Sequence, residues 1–450
     1  MMEFLWSLTA FIITSSLLVI VHEFGHFYVA RLCGIHVERF SIGFGKILWR
    51  VNRYGTEFVI SLIPLGGYIK MLDERVSIIT PENMHLAFNN KTIGQRIAVI
   101  SAGPIANFLL SMLLYWLVFI LGVNSVKPII SDIQEYSLAA QASFEPGMEL
   151  KSIDDIEIHD WNSARIALIS KIGNKELIMK VLPIGHSKPI KKTIDLRSWN
   201  FDPDTQDPIL SLGIMPISLK QDPIIHKIQD GSAAELSGLQ IGDKIIKINE
   251  QIIDTWHPVS CFIKQNPNIP LLLSIDRQGE IHQIILTPIA KNITKNKQIG
   301  FAGLELSIIP YPDEYKITQQ YNLFSAFYHA LNKTWQMIKF TLSMISKLIT
   351  GDIKLTNLSG PISFAKGAGI SAESGLVYYF MFVGLISINL GIINLIPLPT
   401  LDGGHLLFLL IEKIKGSPIS NRILDISYRI GAIILILLMM LAIFNDFSRL

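Results

Sequence analysis

His22-Glu23-Phe24-Gly25-His26 closes the first long apolar run of the chain, in which residues 4–21 carry no charged side chain. On a helix, two histidines four residues apart lie about 40° apart around the axis and about 6 Å along it. Both imidazoles can therefore reach one metal ion, with Glu23 placed to act on water beside it. This is the His-Glu-x-x-His pattern of zinc proteases. The motif begins where a helix long enough to cross a bilayer is finishing. Two imidazoles and a carboxylate at that depth are costly unless an ion or a partner compensates them. Taken alone, the five residues also allow a pair of helix-end histidines that bind nothing.

Hydrophobic residues fill 50% of the 450 positions and charged residues 17%, against about 25% charged in ordinary soluble proteins. The excess is segmental, which indicates a membrane protein with soluble parts. A net charge of +2, with no basic run, gives no support to nucleic-acid binding. Cys33 and Cys261 cannot build a disulfide framework. The acidic Glu3 and the lack of a basic leader argue against a cleaved signal, whose removal would also take the metal motif.

Four segments read as spans: residues 4–30, 97–126, 374–401 and 423–445. The last has a charge-free core of only sixteen residues, so Arg429 has to snorkel to the interface. Nine Lys and Arg against five acids lie in the loop 31–96, and the loop 402–422 carries Lys413, Lys415 and Arg422. The positive-inside rule puts both loops in the cytoplasm and the termini and middle segment outside. The expected fold is a polytopic α-helical membrane protein with four spans, a membrane-associated β-region and a β-rich outer part.

In loop 31–96, Ser41-Ile42-Gly43-Phe44-Gly45 and Leu65-Gly66-Gly67-Tyr68 flank the alternating Phe58, Ile60 and Leu62. This reads as short strands with glycine bends. Such strands either dip into the bilayer, where an edge can pair with unwound substrate, or form a small cytosolic sheet. The second span opens with Ser101-Ala102-Gly103-Pro104-Ile105-Ala106-Asn107. Small residues there allow close helix approach and Asn107 can bond across helices, a packing role before a functional one.

The middle segment repeats itself at an offset of 95 residues: Ile129-Ile130 recurs as Ile224-Ile225, Ser137 as Ser232, Ala139 as Ala234, Gly147 as Gly242, Ile153 as Ile248, Trp161 as Trp256. A repeat of that length is a domain, giving units at 127–220 and 221–310. Turn, alternating strand and short second strand resemble a PDZ domain, more sharply in the second copy. Phe144 and Met148 stand in the first copy where the second has Leu239 and Asp243. Peptide capture at a strand edge and exclusion of bulky ectodomains both remain open. Residues 320–373 form an amphipathic linker on the outer side, with Phe327, Leu331, Trp335, Ile338 and Leu342 set against Lys333 and Lys339. It suits the membrane surface or a packed helix.

The third span ends in Asn394-Leu395-Ile396-Pro397-Leu398-Pro399-Thr400-Leu401-Asp402-Gly403-Gly404. Prolines deny the last turn its hydrogen bonds, and the glycines permit a sharp turn. Asp402 at that depth needs a cation or a donor, and a catalytic zinc takes three protein ligands. Asp402 is therefore the candidate third ligand beside His22 and His26; a helix-capping Asp is the alternative. His405, three residues on, is a possible partner of a ligand or an exposed loop histidine.

Taken together, these motifs resemble the site-2 proteases, intramembrane zinc metalloproteases, over essentially the whole chain. The resemblance implies Zn2+ held by His22, His26 and Asp402, with Glu23 as general base. It implies that Asn394 helps hold a substrate strand, engaged also by the loop strands that carry Gly43, Gly45, Gly66, Gly67 and Tyr68. Family substrates are single-span membrane proteins, including anti-sigma-factor regulators of an envelope stress response and remnant signal peptides, cut by regulated intramembrane proteolysis. The location implied is the bacterial inner membrane, with the PDZ pair in the periplasm and the active site near the cytoplasmic side. The competing class is a non-enzymatic PDZ scaffold with a structural metal, which binds without cleaving. A transporter is a third class, but it calls for matched inverted halves, and the repeat lies only in the middle segment.

Overall fold

The computed structural model describes residues 2–449 apart from 75–78, 202–205, 218–220, 254–255, 295–296 and 309–311. Seven long helices frame the chain, and they are numbered here without the short helices of the middle segment. α1 (Met2–Leu32) is followed by paired strands β1 (Val37–Arg53) and β2 (Thr56–Met71), then by α2 (Ile93–Leu121). After the β-rich middle come α3 (Leu323–Thr350), α4 (Pro361–Glu373), α5 (Leu376–Leu395), α6 (Asp402–Lys415) and α7 (Asn421–Ser448). Among the described residues, four helical stretches are long and apolar enough to cross a membrane: Phe4–Leu32, Ile93–Leu121, Leu376–Leu395 and Arg422–Ser448. Their outward faces carry bare apolar side chains, such as Ile13, Leu109, Ile433 and Met440. A surface of that kind suits lipid rather than water.

Local chemistry sets the helix ends. α2 starts at a capping box: the Thr92 hydroxyl accepts from the Gln95 N–H, and the Gln95 side chain accepts from the Thr92 N–H. α5 stops at Leu395 because Ile396 precedes Pro397 and is held extended. The expected third span, 374–401, is therefore shorter than its apolar run. Residues 396–401 leave the helix, and Asp402 opens α6 rather than closing α5.

α2 is the hub, packed against α1, α5 and α3. Leu18, Leu114 and Val383 meet on one side of it, and Tyr115 and Phe119 meet Ala326, Ala330 and Ile388 on another. On α3 the buried line is Ala326, Ala330, Thr334, Met337 and Thr341, with Lys347 buried near its end. The larger Phe327, Leu331, Trp335 and Leu342 point outward. Short side chains win the interior because they let two helices approach closely.

β1 and β2 fold over each other. Residues 39–42 pair on one side with 57–60 and on the other with 67–70, while 47–53 pair with 56–61. Gly43 (φ 86°) and Gly45 (φ 89°) supply the bend that breaks β1, which no residue with a Cβ adopts cheaply.

The middle segment holds two separate cores. One gathers around Ile130, Leu150, Ile153, Leu177, Met179 and Ile209. The other gathers around Ile225, Ile245, Ile248, Leu273 and Ile275. Equivalent residues do equivalent work. Ser137 and Ser232 each cap a four-residue helix, and Ala139 and Ala234 are fully buried behind them. Asp154 and Asn249 both sit at positive φ, each exchanging bonds with a neighbouring strand at Ile178 and Leu272. The copies part at one core position: Met148 is buried among apolar groups, whereas Asp243 is buried against the Arg277 guanidinium at 2.7 Å. The Trp256 side chain lies outside the described residues.

Candidate metal centre

Two glycines decide how closely the helices carrying the site can meet. A Cβ on Gly25 of α1 would lie 2.4 Å from the Ala102 carbonyl oxygen and 2.8 Å from the Ala106 Cβ. One on Gly103 of α2 would lie 2.3 Å from His26 Nε2 and 2.8 Å from His22 Cε1. α2 thus presents bare backbone to the two imidazoles, and the rings, set edge to face at 84° to one another, occupy the space a side chain would take.

With the rings seated there, α2 also holds their outer nitrogens. His26 Nδ1 is 2.8 Å from the Val99 carbonyl, to which it donates, leaving Nε2 with a free lone pair. The Asn107 amide lies 3.1 Å from His22 Nδ1. Both histidines are buried.

The third member arrives from α6. Gly403 and Gly404 let that helix begin directly against the end of α5: a Cβ on either would come within 2.3 Å of the carbonyl oxygens of Leu395, Ile396 or Leu398. Asp402 is thereby turned back toward α1. Its Oδ2 lies 3.1 Å from His22 Nε2 and 3.4 Å from His26 Nε2, and the two Nε2 atoms are 3.2 Å apart. Four ligand atoms around a zinc at about 2.0–2.1 Å stand about 3.3–3.4 Å from one another. The triangle has the dimensions of one face of that tetrahedron, and two imidazoles with one carboxylate are a zinc donor set. Asp402 Oδ2 is moreover buried and accepts no well-aligned hydrogen bond, a costly position that a cation relieves. Among the described residues, His22, His26 and Asp402 form the one group of three or more such side chains able to share an ion.

A cleft of about 870 Å³ opens onto the triangle. Glu23, Gly67, Tyr68, Ile69, Lys70 and Met71 form part of its lining, and His405, Glu412 and Tyr428 another part. Gly67 seats the sheet against α1: a Cβ there would lie 2.8 Å from Val19 Cγ1 and 3.3 Å from Glu23 Cγ. Tyr68 stacks on Phe44 and accepts from Arg39 at 3.2 Å. Arg96 grips Glu412 with two bonds of 2.6 and 3.2 Å, tying α6 to the start of α2.

Glu23 and Asn394 are thus gathered with the three ligand candidates, the Asn394 Nδ2 lying 3.4 Å from His22 Nε2. Gly67 and Tyr68 reach the same cleft. Gly66 (φ 109°) instead makes room for the Phe44 ring, and Gly43 and Gly45 shape the bend in β1 without lining the cleft. His405 lies 3.3 Å from the Tyr428 hydroxyl. The packing role expected of Gly103 and Asn107 is played against the imidazoles. Their spacing of four, which puts both on one helix face, was the available signal.

Residues 10–438 match the sequence profile of peptidase family M50. The chain is 58% identical to protease RseP of Yersinia pestis, and 54% identical to the regulator of sigma-E protease RseP of Escherichia coli K12. It is 46% identical to a Vibrio cholerae protein named as a zinc metalloprotease, and each match covers 100% of both chains. Its four spanning helices make it a multi-pass membrane protein. With a zinc-sized ligand triangle set among those helices and full-length likeness to these proteases, the chain belongs to peptidase family M50, as an intramembrane zinc metalloprotease of the site-2 type.

Proposed function

We propose that His22, His26 and Asp402 hold the catalytic zinc and that Glu23 is the general base of peptide-bond hydrolysis inside a substrate's transmembrane segment. The observation that carries this reading is the meeting of three ligand atoms, 3.1–3.4 Å apart, at the floor of a cleft that Glu23 also lines. When bound, zinc supplies a Lewis acid for the scissile carbonyl and draws the pKa of water toward neutrality. The Glu23 carboxylate takes the proton from the attacking water and returns it to the leaving nitrogen. His26 keeps its proton on Nδ1 through the Val99 carbonyl. Asn394, beside His22, orients the substrate strand.

A helical substrate hides its amides in its own hydrogen bonds and must unwind before water reaches them. The strand Gly67–Met71 offsets that loss, because residues 67–70 are paired with 39–42 on one side and the same strand lines the cleft. An extended peptide adds to such an edge through its main chain. Gly43, Gly45 and Gly66 act through the shape of this sheet.

The substrates are single-span membrane proteins, among them an anti-sigma-factor regulator and remnant signal peptides. Support comes from the names of the enterobacterial relatives, which describe regulators of sigma-E. The excess of Lys and Arg in loops 31–96 and 402–422 supports an orientation with the active site near the cytoplasmic side of the inner membrane. The two units of the middle segment are then periplasmic PDZ domains at 127–220 and 221–310, acting as peptide-binding or size-selecting modules.

The test is Glu23→Gln in membranes carrying a tagged single-span substrate. We expect cleavage to fall by about 10²–10⁴-fold with zinc content unchanged. Undiminished cleavage would remove Glu23 from the reaction.

A further inference from the structure

The triangle uses one nitrogen of each imidazole, and the other nitrogens are treated differently. His26 Nδ1 faces a backbone carbonyl, an acceptor that cannot change. His22 Nδ1 faces the Asn107 side chain, which is fully buried and carries both an acceptor and a donor. With His22 as a zinc ligand, the reading on which this inference rests, Nε2 is bare and the proton of the neutral ring sits on Nδ1. A proton there needs an acceptor. In the structure Asn107 turns its NH2 toward Nδ1, 3.1 Å away, and its Oδ1 is buried with no hydrogen-bond partner. That orientation suits the opposite tautomer, with the proton on Nε2 and Nδ1 accepting. The two ends of an amide have nearly the same outline, so a half-turn about the last side-chain bond exchanges them in place.

We infer that Asn107 is a positioning residue whose side-chain oxygen accepts the Nδ1 proton of His22, the end-for-end placement that pairs its buried Oδ1 and leaves Nε2 bare for the metal. His26 is held for the metal by a backbone carbonyl, and His22 by a buried side-chain amide. The backbone around Asn107 is secured separately, since its carbonyl accepts from the Ser387 hydroxyl at 2.8 Å. That contact joins α2 to α5 without involving the amide, and it supplies a control for packing alone.

The experiment is zinc affinity of the full-length, detergent-solubilised enzyme, measured by competition with a fluorescent chelator. Asn107→Ala is expected to weaken binding by about 10–100-fold. Asn107→Asp, which keeps only the acceptor, is expected to bind at least as tightly as the natural residue. Ser387→Ala should stay within about twofold. In histidine-labelled protein, the ¹⁵N shift of His22 Nδ1, assigned by its loss in His22→Gln, should be that of a protonated nitrogen in the zinc-loaded enzyme. Wild-type affinity in Asn107→Ala, a loss no greater than in Ser387→Ala, or a loss in Asn107→Asp equal to that in Asn107→Ala would overturn the inference. If Asn107→Ala does not fold, the shift decides: an unprotonated Nδ1 in the zinc-loaded natural enzyme overturns it. Unchanged zinc affinity in His22→Ala would instead overturn the ligand reading itself.

Discussion

Gly103 is the residue on which the geometry of the site is least forgiving. The hydrogen it carries faces both imidazoles, and a methyl in its place would overlap His26 Nε2 at 2.3 Å. Asp402 of α6 stands 3.1 and 3.4 Å from the two Nε2 atoms, so the rings cannot shift away from α2 without disturbing the ligand triangle. Gly103→Ala is therefore expected to lower zinc affinity by at least about tenfold, the range seen when groups that orient ligands are disturbed. Wild-type affinity by chelator competition would show that the rings can shift freely. The ligand and base candidates themselves, His22, Glu23, His26 and Asp402, were legible in the sequence, because spacing and an apolar setting single out charged and imidazole side chains. Gly103 and Asn107 were visible as small and polar residues in an apolar helix. Their target was not, since the face of α2 that meets α1 depends on how the helices cross.

At the scale of elements, the second unit of the middle segment stakes part of its core on an ion pair. Asp243 is 1% exposed and is held by two bonds from Arg277, which also donates to the Gly238 carbonyl. Burial pushes the Asp243 carboxyl up, but the guanidinium and the Gln240 N–H outweigh it and hold the group below its ordinary value. A carboxyl depressed in the folded state adds stability above its unfolded pKa of about 3.9, and that stability is lost as pH falls through the lower folded value. Asp243→Asn leaves a partly buried guanidinium unpaired. It is expected to cost about 2 kcal/mol near neutral pH, with the gap to the natural residue closing below about pH 4. Hydrogen exchange of the full-length protein over Lys244–Ile248 and Leu271–Arg277 reads this directly. Equal protection at neutral pH would show the pair to be idle. The first unit has Met148 at the matching place, buried among apolar side chains, and should show no such acid-dependent step. The offset of 95 residues announced both units and their shared turns. The paired partner of Asp243 lay 34 residues away, beyond any local pattern. The end of α5 lies short of its apolar run for a related reason: hydropathy continues to Leu401, but Pro397 stops the helix at Leu395.

For the whole molecule, α2 stands between the two sequence-distant halves of the site. It floors the imidazoles of α1 through Gly103, and it fixes α6 through the part-buried pair of Arg96 with Glu412. Ion binding at the triangle then joins α1 to α6 across it. A ligand that binds only the folded state adds about 2.7 kcal/mol at a hundredfold excess over its dissociation constant. Zinc removal by a chelator is accordingly expected to lower the unfolding temperature of the natural enzyme by a few degrees and to leave Asp402→Ala unmoved. An equal shift in both would place the stabilising metal elsewhere. Fold class was readable in the sequence because four apolar runs and a repeat are coarse signals. The meeting of residue 22 with residue 402 was an inference from chemistry, and only the folded chain puts a distance on it.

Anomalous scattering at the zinc edge, collected from crystals of the full-length enzyme, tests that meeting most directly. The expected result is one strong peak within bonding distance of His22 Nε2, His26 Nε2 and Asp402 Oδ2, absent or sharply reduced in Asp402→Ala. A peak away from those three atoms, or one of undiminished height in the Asp402 variant, would contradict it.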